Sequence, residues 1–226
     1  MHTDNEVECL ARSTTTLGTS KAWRKALPFS ATPYGDHFEQ WEMGCMNAEG
    51  DSLDMDCNSI YLPYGDGASF SGFRPETWAV PGKPTGQNLT FRGIKNLDAA
   101  VAFALEHGMS SATELVVTGV SAGGLSSFLH MDRIADVVRR ESPIVKVRGA
   151  PVVGFFLDHS NFANKSATTY TAEMHYLFDM QNLTFGSDGG MTQACHAKHP
   201  TEPWLCFMSP HMFDVVKTPL FVFNVS

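Results

Sequence analysis

At 226 residues and 43% hydrophobic content the chain is long enough to bury one large core, and nothing in its length demands a second domain, so a single domain over residues 1–226 is expected. Its 16 basic and 24 acidic side chains give a net charge of -8 without runs of either sign, which excludes a basic stripe for nucleic acid or anionic lipid. No apolar stretch approaches the ~20 residues that span a bilayer, and the opening MHTDNEVECLARSTTTLGTS lacks the apolar centre of a signal peptide.

In chain order, the first expected element is a buried strand from Asn58 to Tyr64, a short β-branched and aromatic run that stops at the glycine-rich GDGASFSG. The proline-rich stretch from Glu76 to Asn88 reads as a long surface loop. Ile94, Leu97, Val101, Ala104 and Leu105 then recur at helical spacing, with Gly108 placed to end the helix in a left-handed conformation. Glu114 to Gly119 is a second strand, followed at once by a helix marked by Leu125, Phe128, Leu129, Ile134 and Val138. Lys146 to Leu157 reads as a third strand, Thr171 to Met180 as a helix and Pro219 to Val225 as a fourth strand. This alternation predicts an α/β fold: a mostly parallel sheet with helices on both faces, whose ligands collect at the carboxyl ends of the strands.

The chemistry centres on Gly119-Val120-Ser121-Ala122-Gly123-Gly124. A bare Gly-x-Ser-x-Gly is a weak signal, but here it follows an apolar strand and opens a helix, the setting in which a strained turn lifts the serine hydroxyl above the sheet. Gly119 and Gly123 are expected to permit a close backbone approach, and the Ala122 N–H at the helix start is the expected oxyanion donor. The plain alternative is a glycine-rich turn whose serine caps the helix. A serine nucleophile also needs a histidine base held by a carboxylate. After Ser121 the candidates are His130, His159, His175, His196, His199 and His211, with Asp132, Asp158 and Asp214; none stands where this fold places its acid and base, and His130, within the helix behind Ser121, reads as structural.

Asp66, between Gly65 and Gly67, either lines the pocket or makes a turn with its own backbone, the second being the commoner use. Phe155 and Phe156 are either a pocket wall near Ser121 or two core residues at a strand end. Five cysteines, Cys9, Cys45, Cys57, Cys195 and Cys206, show no Cys-x-x-Cys spacing. Cys195, His196 and His199 lack a fourth ligand, so no metal and no cofactor are expected. Sequons at Asn88, Asn164, Asn182 and Asn224 suit a secreted protein.

Several of these segments together resemble one family, the pectin acetylesterases with the related Notum carboxylesterases. YGDGASFSG (Tyr64 to Gly72), FRG (Phe91 to Gly93), TGVSAGG (Thr118 to Gly124) and GFFLD (Gly154 to Asp158) match its motifs in order, as does the late cysteine pair before Lys217-Thr218-Pro219. The resemblance implies an α/β-hydrolase-like fold with its nucleophile elbow at Ser121. It also implies a Cys195–Cys206 disulfide and hydrolysis of an acetylated polysaccharide or other acyl ester, outside the cell or in the cell wall. It places a glycine-tryptophan oxyanion loop before Cys9, and an aspartate and a histidine after Ser226, so the chain is expected to be truncated at both ends and impaired in turnover. Tyr64 stands where the family has cysteine. The competing function is a non-catalytic protein that binds carbohydrate or a protein partner through the same cleft.

Overall fold

The computed structural model describes residues 58, 60–62, 66–79, 88–157, 170–186 and 189–224. Two short strands, β1 (Trp78–Ala79) and β2 (Asn88–Leu89), pair antiparallel across part of the stretch expected to be loop. Helix α1 (Gly93–Glu106) buries Ile94, Leu97 and Ala104, and the chain leaves it through Gly108 at φ 114, as its apolar spacing and glycine predict.

Strand β3 (Glu114–Val120) then pairs in parallel with β4 (Lys146–Val152), joined by the twenty-residue helix α2 (Ala122–Glu141). Residues 219–224 run parallel to β4 on its other side through the Gly149–Leu220 and Val152–Phe223 bridges, which corresponds to the expected fourth strand. Parallel neighbours require a crossover, and α2 supplies it. The third strand ends at Val152 rather than at Leu157, because the chain turns at Val153, φ 50, to bring Gly154 against α2.

Period-two alternation sorts the sheet. Val147, Gly149 and Pro151 are buried, and a Cβ on Gly149 would lie 2.3 Å from the terminal methyl of Met131 on α2. On the opposite face Val116, Phe221 and Phe223 are 57%, 73% and 56% exposed among the described residues. From α2 itself Leu125, Phe128, Met131, Ala135 and Val138 are fully buried at i, i+3, i+4 spacing, so each large side chain contributes about 1.5–3 kcal/mol of transfer free energy.

Helix α3 (Tyr170–Met180) adds Met174, Leu177 and Met180 to the core. The short helices α4 (Gln193–Lys198) and α5 (Ser209–Phe213), with the 3-10 turn Pro203–Phe207 between them, complete it with Cys195, Cys206, Phe207 and Met212. Cys195 and Cys206 form a disulfide, Cα to Cα 5.7 Å, that ties α4 to the turn. The expected strand at Asn58 to Tyr64 is not formed by its described members, since Asn58 and Ile60 to Leu62 have no strand pairing and Ile60 is 59% exposed. Tyr64 and Gly65 lie outside the described residues, as do Cys9, Cys45, Cys57, Asp158, His159 and Asn164.

Candidate active site

Ser121 sits between the last residue of β3 and the first of α2, with φ 57 and ψ -113. That backbone conformation is nearly closed to any residue with a Cβ, and holding one there costs of order 1–3 kcal/mol, so the surrounding structure must enforce it. Three contacts do. Ser121 N–H donates to the Val152 carbonyl at 3.0 Å, and the Ser121 carbonyl accepts the first helical bond from Leu125 N–H at 3.0 Å. The turn is also tight enough that a Cβ on Gly119 would lie 2.5 Å from the Gly123 carbonyl carbon. The side chain of Ser121 makes no capping bond, so the helix-capping reading does not describe it.

The glycine requirement is distributed differently from the sequence expectation. At Gly123 an added Cβ meets nothing within 4 Å, whereas at Gly124 it would lie 2.6 Å from the Val152 carbonyl oxygen, and at Gly154 it would lie 2.3 Å from the Gly124 carbonyl carbon. Gly119, Gly124 and Gly154 are therefore the residues that let α2 pack directly on the ends of β3 and β4. Ser209 Oγ, buried at the start of α5, fastens this approach by donating to the Gly154 carbonyl at 2.6 Å.

Ala122 is the first residue of α2, so its N–H has no intrahelical partner, and the helix N-terminus adds a favourable field for negative charge. Its carbonyl accepts a hydrogen bond from Ser69 Oγ at 2.9 Å, which brings the Asp66 to Gly72 loop against the elbow. In that loop Gly67, Ser69 and Phe70 all have positive φ, at 77, 50 and 62, of which only the first is a glycine. The loop is held on several sides. Ser71 N–H donates to Ala68 O, Gln181 Nε2 donates to Asp66 O, and Ile94 N–H donates to Gly72 O. His130 on α2 reaches both Ser69 O, at 2.8 Å, and Ser71 Oγ, at 3.1 Å, through Nε2. Asp66 belongs to this turn, its carboxylate lying so close to Gly93 that a Cβ there would meet Oδ2 at 2.2 Å.

Phe155 and Phe156 follow the carboxyl end of β4, the strand next to that of Ser121. Phe155 packs edge-on against the buried Phe128 and against Phe213, and Phe156 lies against Tyr170, whose phenol pKa is pushed well up by burial and then by Glu173. A cavity of ≈ 530 Å³ lies along the later turns of α2, between Asp98, Arg133, Val137, Met191 and Val216; neither the elbow nor the loop lines it.

Among the described residues Ser121 Oγ has no hydrogen-bond partner, and the described histidines are engaged elsewhere. His107 bonds Phe103 O, His175 stacks on Trp204, His196 stacks on Phe185, and His199 pairs with His211 at 3.2 Å. Burial, the largest effect, lowers the His130 pKa to about 4, the Ser69 carbonyl opposes it, and the charges of Arg133 and Asp98 act in opposite directions. Asp132 accepts from Lys217 N–H and from both Thr218 N–H and Oγ1, and so anchors the start of the last strand. Cys195 is committed to its disulfide and offers no thiolate. What the described residues assemble is a strained serine with a helix N-terminus behind it. Sequence reasoning passed over Ser69, Ser71 and the role of His130, whose partners lie 53 to 61 residues away along the chain.

A profile of the Pectinacetylesterase family matches residues 1–226. Pectin acetylesterase 5 of Arabidopsis thaliana is 30% identical over 216 residues, covering 96% of this chain and 44% of that protein. The palmitoleoyl-protein carboxylesterase Notum of Drosophila melanogaster is 30% identical over 171 residues, covering 74% of this chain and 24% of its own length. A crystal structure of the Wnt deacylase Notum from Drosophila superposes with a TM-score of 0.61 at 29% identity, over 72% of this chain and 45% of that one. The chain thus spans less than half the length of these relatives.

Proposed function

The chain belongs to the pectinacetylesterase family, with its α/β-hydrolase-like fold, and from that premise we propose that it acts as a serine carboxylic ester hydrolase with Ser121 as nucleophile. The observation that carries the reading is the backbone of Ser121, φ 57 and ψ -113, at a strand-to-helix turn where Gly119 and Gly124 admit no Cβ. Backbone strain of this kind, enforced by its surroundings, clusters at sites of chemistry.

In the proposed reaction Ser121 Oγ attacks the ester carbonyl carbon, its proton passes to a base, and the carbonyl oxygen becomes an oxyanion that accepts from Ala122 N–H. The C–O bond to the alcohol then breaks, the alcohol leaves with the proton, and water releases the acid from the acyl-serine. One such oxyanion donor is worth about 10²–10³ in turnover, and the base with its carboxylate on the order of 10⁴–10⁶. Phe155 and Phe156, at the same end of the sheet, and the turn at Asp66 and Gly67 are proposed to border the acyl or alcohol side. The substrate class suggested by the pectin acetylesterase relatives is an acetylated polysaccharide, met outside the cell or in the cell wall. No helix among the described residues is long and apolar enough to cross a membrane. The matched relatives are named as esterases, which favours hydrolysis over the non-catalytic reading.

The test is hydrolysis of 4-nitrophenyl acetate, and release of acetate from acetylated pectin, by the protein and by its Ser121→Ala variant. Turnover that falls by at least about 10³ supports the reading. Undiminished turnover in the variant removes it.

A further inference from the structure

A completely buried imidazole is a costly way to fill space on a helix, because its ring nitrogens must find partners or remain unsatisfied where leucine would have none. His130 is 0% exposed, nine residues along α2 from Ser121. Its Nδ1 has no partner, while Nε2 faces the carbonyl of Ser69, which can only accept, and the hydroxyl of Ser71. This arrangement fixes the tautomer: the proton sits on Nε2 and is directed at Ser69 O. The residue it grips is itself strained, since Ser69 and Phe70 are consecutive non-glycine residues at φ 50 and φ 62. Ser69 then passes the constraint on, its Oγ donating to the carbonyl of Ala122.

We infer that His130 is a positioning residue for the oxyanion donor: by holding Ser69 in its left-handed conformation it fixes Ala122 and, with it, the first turn of the helix behind the nucleophile. This inference rests on the reading of Ser121 and Ala122 given above. The path is short and continuous, from His130 Nε2 to Ser69 O at 2.8 Å and from Ser69 Oγ to Ala122 O at 2.9 Å. Ser121 N–H bonded to Val152 O holds the elbow from the strand side, so Ser69 supplies the hold from the loop side. Without the imidazole donor nothing directed at Ser69 O opposes relaxation of its backbone, and Oγ swings away from Ala122. Burial, the largest effect on the ring, keeps it neutral at neutral pH, with Arg133 and Asp98 acting in opposite directions, so its single proton is the one Nε2 directs at Ser69 O.

Two readouts on the same protein test this: amide hydrogen exchange by mass spectrometry over residues 66–72 and 121–125, and the second-order rate at which a fluorophosphonate labels the protein. His130→Leu is expected to speed exchange in both segments and to slow labelling by about tenfold, the worth of one well-placed hydrogen bond. His130→Gln, which presents an amide donor at the place of Nε2, is expected to recover most of the rate. Ser69→Ala is expected to slow labelling by a similar factor while His130 stays buried, and it decides the matter if His130→Leu does not fold. Labelling at the wild-type rate in cooperatively folded Ser69→Ala protein overturns the inference. So does a His130→Gln variant as slow as His130→Leu, which would mark the ring as packing alone. If the wild-type protein itself takes no label, the nucleophile reading fails, and exchange at 121–125 in His130→Leu then decides the positioning role by itself.

Discussion

A Cβ on Gly119 would lie 2.5 Å from the carbonyl carbon of Gly123, whereas a Cβ on Gly123 would meet nothing within 4 Å. The two glycines of one short motif therefore answer to different demands, and the difference is measurable. Gly119→Ala forces α2 away from β3 and is expected to destabilise the protein by about 3 kcal/mol or more. Gly123→Ala, inside a helix with open space around it, is expected to stabilise by about 0.5–1 kcal/mol. Urea unfolding of both variants checks the contrast; equal losses would contradict the packing described.

The backbone strain at Ser121 gives a second expectation. Ser121→Gly removes the Cβ that opposes φ 57, at the cost of a looser unfolded chain, and is expected to be about 1 kcal/mol more stable than Ser121→Ala, which retains the strain. Both variants should lose esterase turnover. A thermal melt in which Ser121→Ala is the more stable of the two would mean that the elbow is not strained.

His130 makes stability depend on pH in a defined direction. Its pKa is lowered from 6.5 to about 4 in the fold, chiefly by burial, so the unfolded chain takes up the proton first as pH falls. The contribution is fully present above about pH 6.5 and is lost progressively as pH drops through the window toward 4, amounting to about 3 kcal/mol for this shift. His130→Gln should flatten that part of the profile. Urea midpoints for the two proteins at pH 7, 5.5 and 4.5 provide the comparison, and parallel curves would contradict a buried neutral imidazole.

The disulfide between Cys195 and Cys206 closes a short loop, their sequence separation being 11, around the base of the core cluster. On the chain-entropy account its removal costs about 3 kcal/mol. The Cys195→Ser, Cys206→Ser double variant is therefore expected to unfold at distinctly lower urea, with no comparable effect from reductant on the variant. An unchanged midpoint would assign the stability of this region to packing alone.

The parts of the fold legible in the sequence are those with enough residues to show a period. Helices α1 and α2 and strands β3 and β4 announce themselves through Ile94, Leu97 and Ala104, through Leu125, Phe128 and Ile134, through the apolar run Leu115 to Val117, and through the run from Lys146 to Leu157, which extends past the strand's end at Val152. Helices α4 and α5, of 6 and 5 residues, and the 3-10 turn of 5 are too short for periodicity to mark them. The apolar run at Ile60 and Tyr61 misleads for a related reason: β-propensity reports a side chain's fit to a pleated surface and does not supply a pairing partner. The elbow at Ser121 was legible because its motif, strand and helix are contiguous. Its support by Ser69 and His130 was not, since those contacts join residues far apart in sequence, and a histidine on an apolar helix face carries no sign of what it grips.

Ser121 is the proposed nucleophile, held ready by its backbone. Treatment with an active-site fluorophosphonate, followed by peptide mass spectrometry, tests this directly. A single phosphonyl adduct is expected on the peptide containing Ser121, absent in Ser121→Ala. An adduct on any other residue, or none at a concentration that labels serine hydrolases generally, would contradict that role.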